Sequence, residues 1–288
     1  MIHALTVDVE DYDNVTAREW LRREGPPTDA VVRNTHRLLE LLASRHVRGT
    51  FFVLGEVAQV FPQLVRDIAG AGHELGVHGF HHRRVFQLTP LEFQEEVTSA
   101  RSLIEQIAGV AVVGHRAPAY SIVPSTSWAL AVLAEAGFRY DSSIFPIAGR
   151  RYGWPGYPRH IHRVALSGGR SIIEAPLSTI AILGRRVPVC GGGYLRHYPY
   201  FVTRWAMRRI GKSRPVIVYV HPYEVDTTPT EPDVSALSAA ERRRFRRVHW
   251  RQTCNRQHVE RRLAFLMDEF PFSTLSSVIE TTLGWVER

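Results

Sequence analysis

The chain has 288 residues, 36 of them basic and 28 acidic, for a formal net charge of +8, with 44% hydrophobic and 22% charged residues. Those proportions exclude a disordered, collagenous or coiled-coil chain and leave one large domain or two small ones. Only Cys190 and Cys254 are present, in no CxxC pair, so a disulfide scaffold and a cysteine-based zinc site are both excluded and any metal must be held by histidine and carboxylate.

The N-terminus, MIHALTVDVED, has no basic n-region or apolar h-region, and no stretch approaches the roughly 18 apolar residues of a membrane span. The expected location is therefore cytoplasmic. The positive charge is almost all arginine, since Lys212 is the sole lysine, and its densest run is Arg242, Arg243, Arg244, Arg246 and Arg247. Such a run reads first as a solvated helix face and second as a contact for an anionic surface, either lipid headgroups or nucleic acid. No nucleic-acid module accompanies it, so no nucleic-acid partner is expected.

In chain order, Ile2 to Val9 is a β-branched run that predicts a buried strand. Val31 to Leu42 has helical spacing, and Thr50 to Val53 reads as a second strand. A helix is expected from about Glu56 to Ala71, then a third strand at His73 to Val77. Thr89, Pro90 and Glu92 form a capping-box signature that starts a helix reaching about Ala108. Further strands are expected at Val110 to Val113 and Phe138 to Tyr140, with a helix near Ser125 to Ala136 between them. From Ile144 to Tyr200 the pattern loosens, with strands only at His160 to Leu166 and Ser171 to Ala175. A helix near Tyr200 to Ile210, a strand at Pro215 to Val220 and an amphipathic helix at about Gln257 to Phe270 complete the reading. Strands alternating with helices predict an α/β fold with a parallel sheet, either doubly wound or closed into a barrel.

Polar residues collect where these strands end. Asp8, Glu10 and Asp11 follow the first, His78 and His82 the third, Arg116 the fourth, Asp141 the fifth and His221 the last. In a parallel barrel the carboxyl ends converge on one face, so residues more than 200 positions apart can share a cleft. Two imidazoles four residues apart, His78 and His82, can reach one cation, and a carboxylate from Glu10 or Asp11 would leave positions open for water and substrate. His81 has no expected role.

The acidic TVDVED opening, the His78/His82 pair, the Arg116-Ala117-Pro118 turn and the Val220-His221 strand end stand in the order found in polysaccharide deacetylases. Over about residues 2 to 226 the chain resembles that family, the NodB-homology or carbohydrate esterase family 4 group. TVDVEDY and YVHPYE look like its exopolysaccharide-cluster subgroup. The resemblance implies a single-domain, deformed (β/α) TIM-like barrel, with 1–226 as the catalytic domain and 227–288 as a helical extension packed on it. It also implies a divalent metal, Zn2+ first, and an acetylated glycan as partner. Asp8 matches the family's general base, and a second acid of the opening motif is the metal ligand. Strand alternation puts Glu10 on the Asp8 face, with Asp11 as the next choice. Arg116 would hold Asp8, Asp141 would orient His221, and His221 would protonate the departing amine. Pro118, Ala119 and Tyr120 would form the substrate loop, with the Ala119 N–H as oxyanion donor. One departure is Gly79, where the family usually has Ser or Thr after the first histidine.

The expected activity is removal of N-acetyl groups from a polysaccharide or its lipid-linked precursor, the latter met at the inner membrane face by way of the arginine run. The alternatives are an amidase acting on a small or cyclic amide, a carbohydrate-binding protein without catalysis, and an arginine-driven nucleic-acid binder. Tyr120, Trp154, Tyr157 and Tyr194 are candidates for stacking on sugar rings, or for packing their own loops.

Overall fold

In the computed structural model, which describes residues 1–149, 152–229 and 232–284, strands and helices alternate along most of the chain. They run β1 His3–Val9, α1 Tyr12–Leu21, α2 Asp29–Ala43, β2 Thr50–Val53, α3 Gly55–Val60, α4 Pro62–Gly70, β3 Glu74–Val77, α5 Pro90–Ala108, β4 Gly114–His115, α6 Ala129–Glu135 and β5 Tyr140–Asp141. The second half continues with β6 His162–Ala165, β7 Ser171–Glu174, β8 Thr179–Ile182, β9 Arg185–Pro188, α7 Gly192–His197, α8 Tyr200–Ile210, β10 Ile217–Val220, α9 Ala239–Thr253, α10 Val259–Glu269, β11 Phe272–Ser273 and α11 Leu275–Leu283.

One curled sheet carries the order β10-β1-β2-β3-β4-β5-β7-β6, with β11 added beside the start of β1. Its pairs are parallel from β10 to β7, and only β6 runs antiparallel. The sheet does not close. β6 and β10 lie at opposite ends of the order, so the expected barrel is a curled half-barrel, and β8 and β9 form a separate hairpin.

Strand alternation divides the core. Leu5, Val7 and Val9 join the large apolar cluster between sheet and helices, whereas Ala4, Phe52, Tyr140, Ile173, Ile217 and Tyr219 fill the concave side. A strand covered on both faces must be apolar throughout or satisfy its polar groups internally. β1 does the latter: all seven residues are buried, and the Thr6 hydroxyl donates to the Val218 carbonyl at 3.0 Å.

Local signals set the helix limits. The Thr89 hydroxyl accepts from Glu92 N–H, the Glu92 carboxylate accepts from Thr89 N–H at 2.7 Å, and Gly109 ends α5 in the left-handed region. The single helix expected from Glu56 to Ala71 is two, because Pro62 has no N–H to continue the first and opens the second. The expected strand at Val110 to Val113 is shifted to Gly114–His115. The arginine run lies on α9, whose one buried residue is Phe245.

The register aligns the strand ends. Asp8 lies beside Phe52, Val53 beside Val77, Val77 beside His115, His115 beside Asp141, and Val7 beside Val220. The residues following these positions therefore meet at one rim.

Candidate active site

Glu10, His78 and His82 come together as a buried cluster whose ligand atoms all lie within 4.8 Å of one another. His82 Nε2 is 2.7 Å and His78 Nε2 3.6 Å from the Glu10 carboxylate. Two imidazole nitrogens and one carboxylate oxygen at this spacing suit a divalent cation with bonds of about 2.0–2.2 Å, and leave further positions open. The second contacts agree with that use. His78 Nδ1 lies 2.8 Å from the Arg116 carbonyl, so it carries the proton and leaves Nε2 with its lone pair. The Glu19 carboxylate lies 3.4 Å from His82 Nδ1. Burial alone would raise the Glu10 carboxyl, but the neighbouring His82, His221 and His78 hold it well below the usual carboxylate range.

The loop carrying the histidines explains Gly79. Its φ is +78°, and a Cβ there would sit 3.2 Å from Pro118 Cγ, so a Ser or Thr would be both strained and crowded.

Asp8 is beside the cluster and buried. Arg116 Nη1 donates to Asp8 Oδ1 at 2.7 Å and the Tyr120 hydroxyl donates to Oδ2 at 3.2 Å. Arg116 is fully buried; it also donates to the Ser142 carbonyl and hydroxyl and the Thr6 hydroxyl, and lies 4.4 Å over the Phe52 ring. Four of the five guanidinium N–H groups are engaged, so Asp8 is held in one place. Ala119 and Tyr120 both have positive φ, 52° and 54°, at the bend that turns the Arg116–Tyr120 segment over the cleft.

His221 faces this pair, with Nε2 3.8 Å from Asp8 Oδ2 and 3.7 Å from Glu10 Oε1. Its Nδ1 is 3.0 Å from Glu224, whose Oε2 also accepts from the His221 N–H. Burial disfavours the imidazolium, yet Glu10, Glu224 and Asp8 outweigh it and lift His221 to about 9. Burial would likewise raise Glu224, but Arg196, 2.7 Å away, and His221 hold it down at about 2.

Two expected assignments are corrected. Asp141 does not orient His221: its Oδ1 lies 2.7 Å from His115 Nδ1 and accepts from the Ser143 hydroxyl, and that hydroxyl accepts from Ala117 N–H. It braces the Arg116 loop from below, while Glu224 does the orienting. The sequence signal for Glu224 was Pro222 and Glu224 following His221, a helix-start pattern whose acid folds back onto its cap. Asp11 is outside the histidine cluster. Its oxygens accept from the Asp13 and Thr28 N–H groups, capping α1 and tying it to the start of α2.

The cleft above these groups has a volume of about 510 Å³. Tyr120 and Tyr194 line it, as do Ala119, Arg196, Arg251 and the unforeseen Tyr152. Trp154 and Tyr157 instead pack on each other at 4.8 Å, outside the cleft lining. His81 pairs with Glu56 at 3.3 Å, away from the cluster.

Comparison with known proteins gives a match over part of the chain. The model described as polysaccharide deacetylase matches residues 24–140. Residues 24–140 are thus similar to a polysaccharide deacetylase domain. The domain is 31% identical over 108 residues to the peptidoglycan deacetylase of Helicobacter pylori, covering 38% of this chain and 36% of that protein. It is 32% identical over 77 residues to the peptidoglycan-N-acetylglucosamine deacetylase of Bacillus cereus, covering 27% and 28%. The chain thus spans about a third of the curated relatives it matches. A crystal structure from Mycobacterium smegmatis, provisionally described as a polysaccharide deacetylase, superposes over 100% of this chain and 93% of its own length, with a TM-score of 0.62 and 23% identity. This supports the deacetylase fold over the whole length. Residues 142–280 match a model described as a domain of unknown function, DUF3473.

Proposed function

We propose that the protein is a metal-dependent hydrolase that removes N-acetyl groups from a polysaccharide or its lipid-linked precursor, in the context of an exopolysaccharide or cell-envelope glycan. The observation that carries this reading is the buried Glu10–His78–His82 cluster with Asp8 and His221 beside it in one cleft. The catalytic unit would be residues 1–226, with 227–288 an extension that also contributes Arg251 to the cleft wall.

A divalent cation, Zn2+ in the first instance, held by Glu10, His78 and His82 would polarise the acetyl carbonyl and acidify the attacking water. Asp8 takes the proton from that water as it adds to the carbonyl carbon. Arg116 and Tyr120 keep the Asp8 carboxylate aimed. The Ala119 N–H receives the developing negative charge on the acetyl oxygen, a contribution typically of about 10² to 10³ in rate. His221, held by Glu224, gives its proton to the nitrogen as the C–N bond breaks, releasing acetate and a free amine. The tyrosines along the cleft offer flat faces to the sugar rings.

The first test needs no assumption about the sugar. Purified wild type should carry about one divalent ion per chain, and the His78→Ala/His82→Ala variant essentially none, with loss of acetate release from N-acetylated glycans. Equal metal content in both would end the reading. A second expectation concerns Glu224→Gln. Metal content should stay unchanged while turnover falls about 10- to 100-fold, the size typical of losing a partner that orients a functional imidazole. Because Glu224 favours the charged form of His221, activity that needs this imidazolium persists below the His221 pKa and is lost as pH rises through it. The alkaline limb of the pH–rate profile should therefore move to lower pH in the variant. An unmoved limb would remove Glu224 from this role.

A further inference from the structure

Helix α9 bears a row of guanidiniums that the chemistry above does not use. Arg243, Arg247 and Arg251 are exposed and recur every four residues, so they share a helix face at steps of about 6 Å. With Ala240, Arg244 and Val248 they line a groove of about 350 Å³ that has no carboxylate in its walls. Many arginines elsewhere are paired: Arg22 with Glu241, Arg23 with Asp233, Arg204 and Arg208 with Glu269. Arg243, Arg247 and Arg251 have no carboxylate partner among the described residues. Phe245, buried with Leu21 and Leu237, anchors the helix and fixes the row against the body of the protein.

The groove opens into the catalytic cleft, because Val248 and Arg251 line both. The cleft floor carries Asp8 and Glu10 beside His221, and its wall carries Arg196. The guanidinium row thus lies on the path by which a bound chain would leave the cleft. We propose that the ligand is an acidic glycan whose carboxylates, on sugars next to the one being deacetylated, pair with Arg243, Arg247 and Arg251 as the chain leaves the cleft. The proposal rests on the deacetylase reading and narrows its substrate class. Guanidinium groups suit carboxylates through two parallel hydrogen bonds. The row extends about 12 Å along the helix, more than a single headgroup or diphosphate occupies, and so fits a repeating acid. A bilayer, being a plane, would have no need of a groove that continues into the active cleft.

The test measures binding of labelled hexagalacturonate and of the neutral N-acetylglucosamine hexamer to the metal-loaded full chain, by fluorescence anisotropy. The comparison is wild type against Arg243→Gln/Arg247→Gln, two positions outside the catalytic cleft. The acidic probe should bind wild type more tightly, lose affinity with salt, and bind the variant about tenfold more weakly, as expected for two exposed ion pairs. Binding of the neutral hexamer and acetate release from it should be unchanged. Equal affinity for the two hexamers, or no loss in the variant, would overturn the proposal. So would tighter, Arg243- and Arg247-dependent binding to phosphatidylglycerol vesicles or single-stranded DNA, which would make the row a membrane or nucleic-acid contact. Acetate release without discrimination between the hexamers rejects this inference alone. Arginine-dependent binding of the acidic hexamer, without acetate release from any glycan, rejects the deacetylase reading and leaves the row as a carboxylate site.

Discussion

Asp8→Asn should lower acetate release by about 10³-fold, within the 10²–10⁴ range typical of a general base, while metal content and fold are retained. The substitution keeps the shape and removes the charge. An asparagine carbonyl can still accept from Arg116 where Asp8 Oδ1 now does, at 2.7 Å. Its amide can donate to the Tyr120 oxygen, which can accept as well as donate. What it cannot do is take a proton from water. The cation should stay because the cluster of Glu10, His78 and His82 does not include Asp8. Steady-state acetate release and metal analysis on the same preparation decide the matter. Full activity would remove Asp8 as the base, and metal loss matching that of the histidine variant would move it into the coordination sphere.

Arg116→Met should cost about 3–5 kcal/mol of folding stability, because it strands a buried charge. Asp8 is 1% exposed and Arg116 fully buried, so no water replaces the lost guanidinium. The change also leaves the Ser142 carbonyl and the Thr6 hydroxyl without their donor. Adding Asp8→Asn to Arg116→Met should return part of the loss, since the stranded charge is then gone. Denaturant unfolding of the two single variants and the double variant gives the coupling directly. A cost below about 1 kcal/mol for Arg116→Met, the level of a surface pair, would show that the pair is not what holds Asp8.

The strands and the α5 capping box were legible because each has a local cause, β-branched apolar runs in one case and Thr89 with Glu92 in the other. The site was legible through position: polar residues closing apolar strands can only meet at the rim. The Asp141 assignment failed because proximity to a strand end fixes the rim but not the neighbour. β5 and β10 are separated by β1 to β4, and a closer carboxylate stood three residues beyond His221. Asp11 was ambiguous for a related reason, since an acid before a helix can cap it as readily as bind a cation. Helix α9 was legible only as a solvated face, through its arginine run; its limits were not, because it has a single buried apolar residue, Phe245, and periodicity has nothing to count. The β8–β9 hairpin was lost among glycines and prolines. Its turn needs positive φ at Leu183 and Gly184, a conformation that leucine does not advertise.

The strand that carries Asp8 and leads into Glu10 has a consequence for the order of assembly. β1 is flanked by β2, about 45 residues away, but also by β10 and β11, more than 200 residues away in the chain. During synthesis the β1–β2–β3 segment, with Glu10 and both histidines, emerges first and can pair locally. His221, Glu224 and the strand covering the other edge of β1 arrive only after most of the polypeptide has been made. Contacts of such sequence separation are entropically slow to close and leave edges exposed meanwhile. Glu10, His78 and His82, the groups proposed to hold the cation, are thus among the earliest able to gather and His221, the proposed proton donor, among the last, so on this reading a nascent chain could hold a cation well before it could complete a turnover.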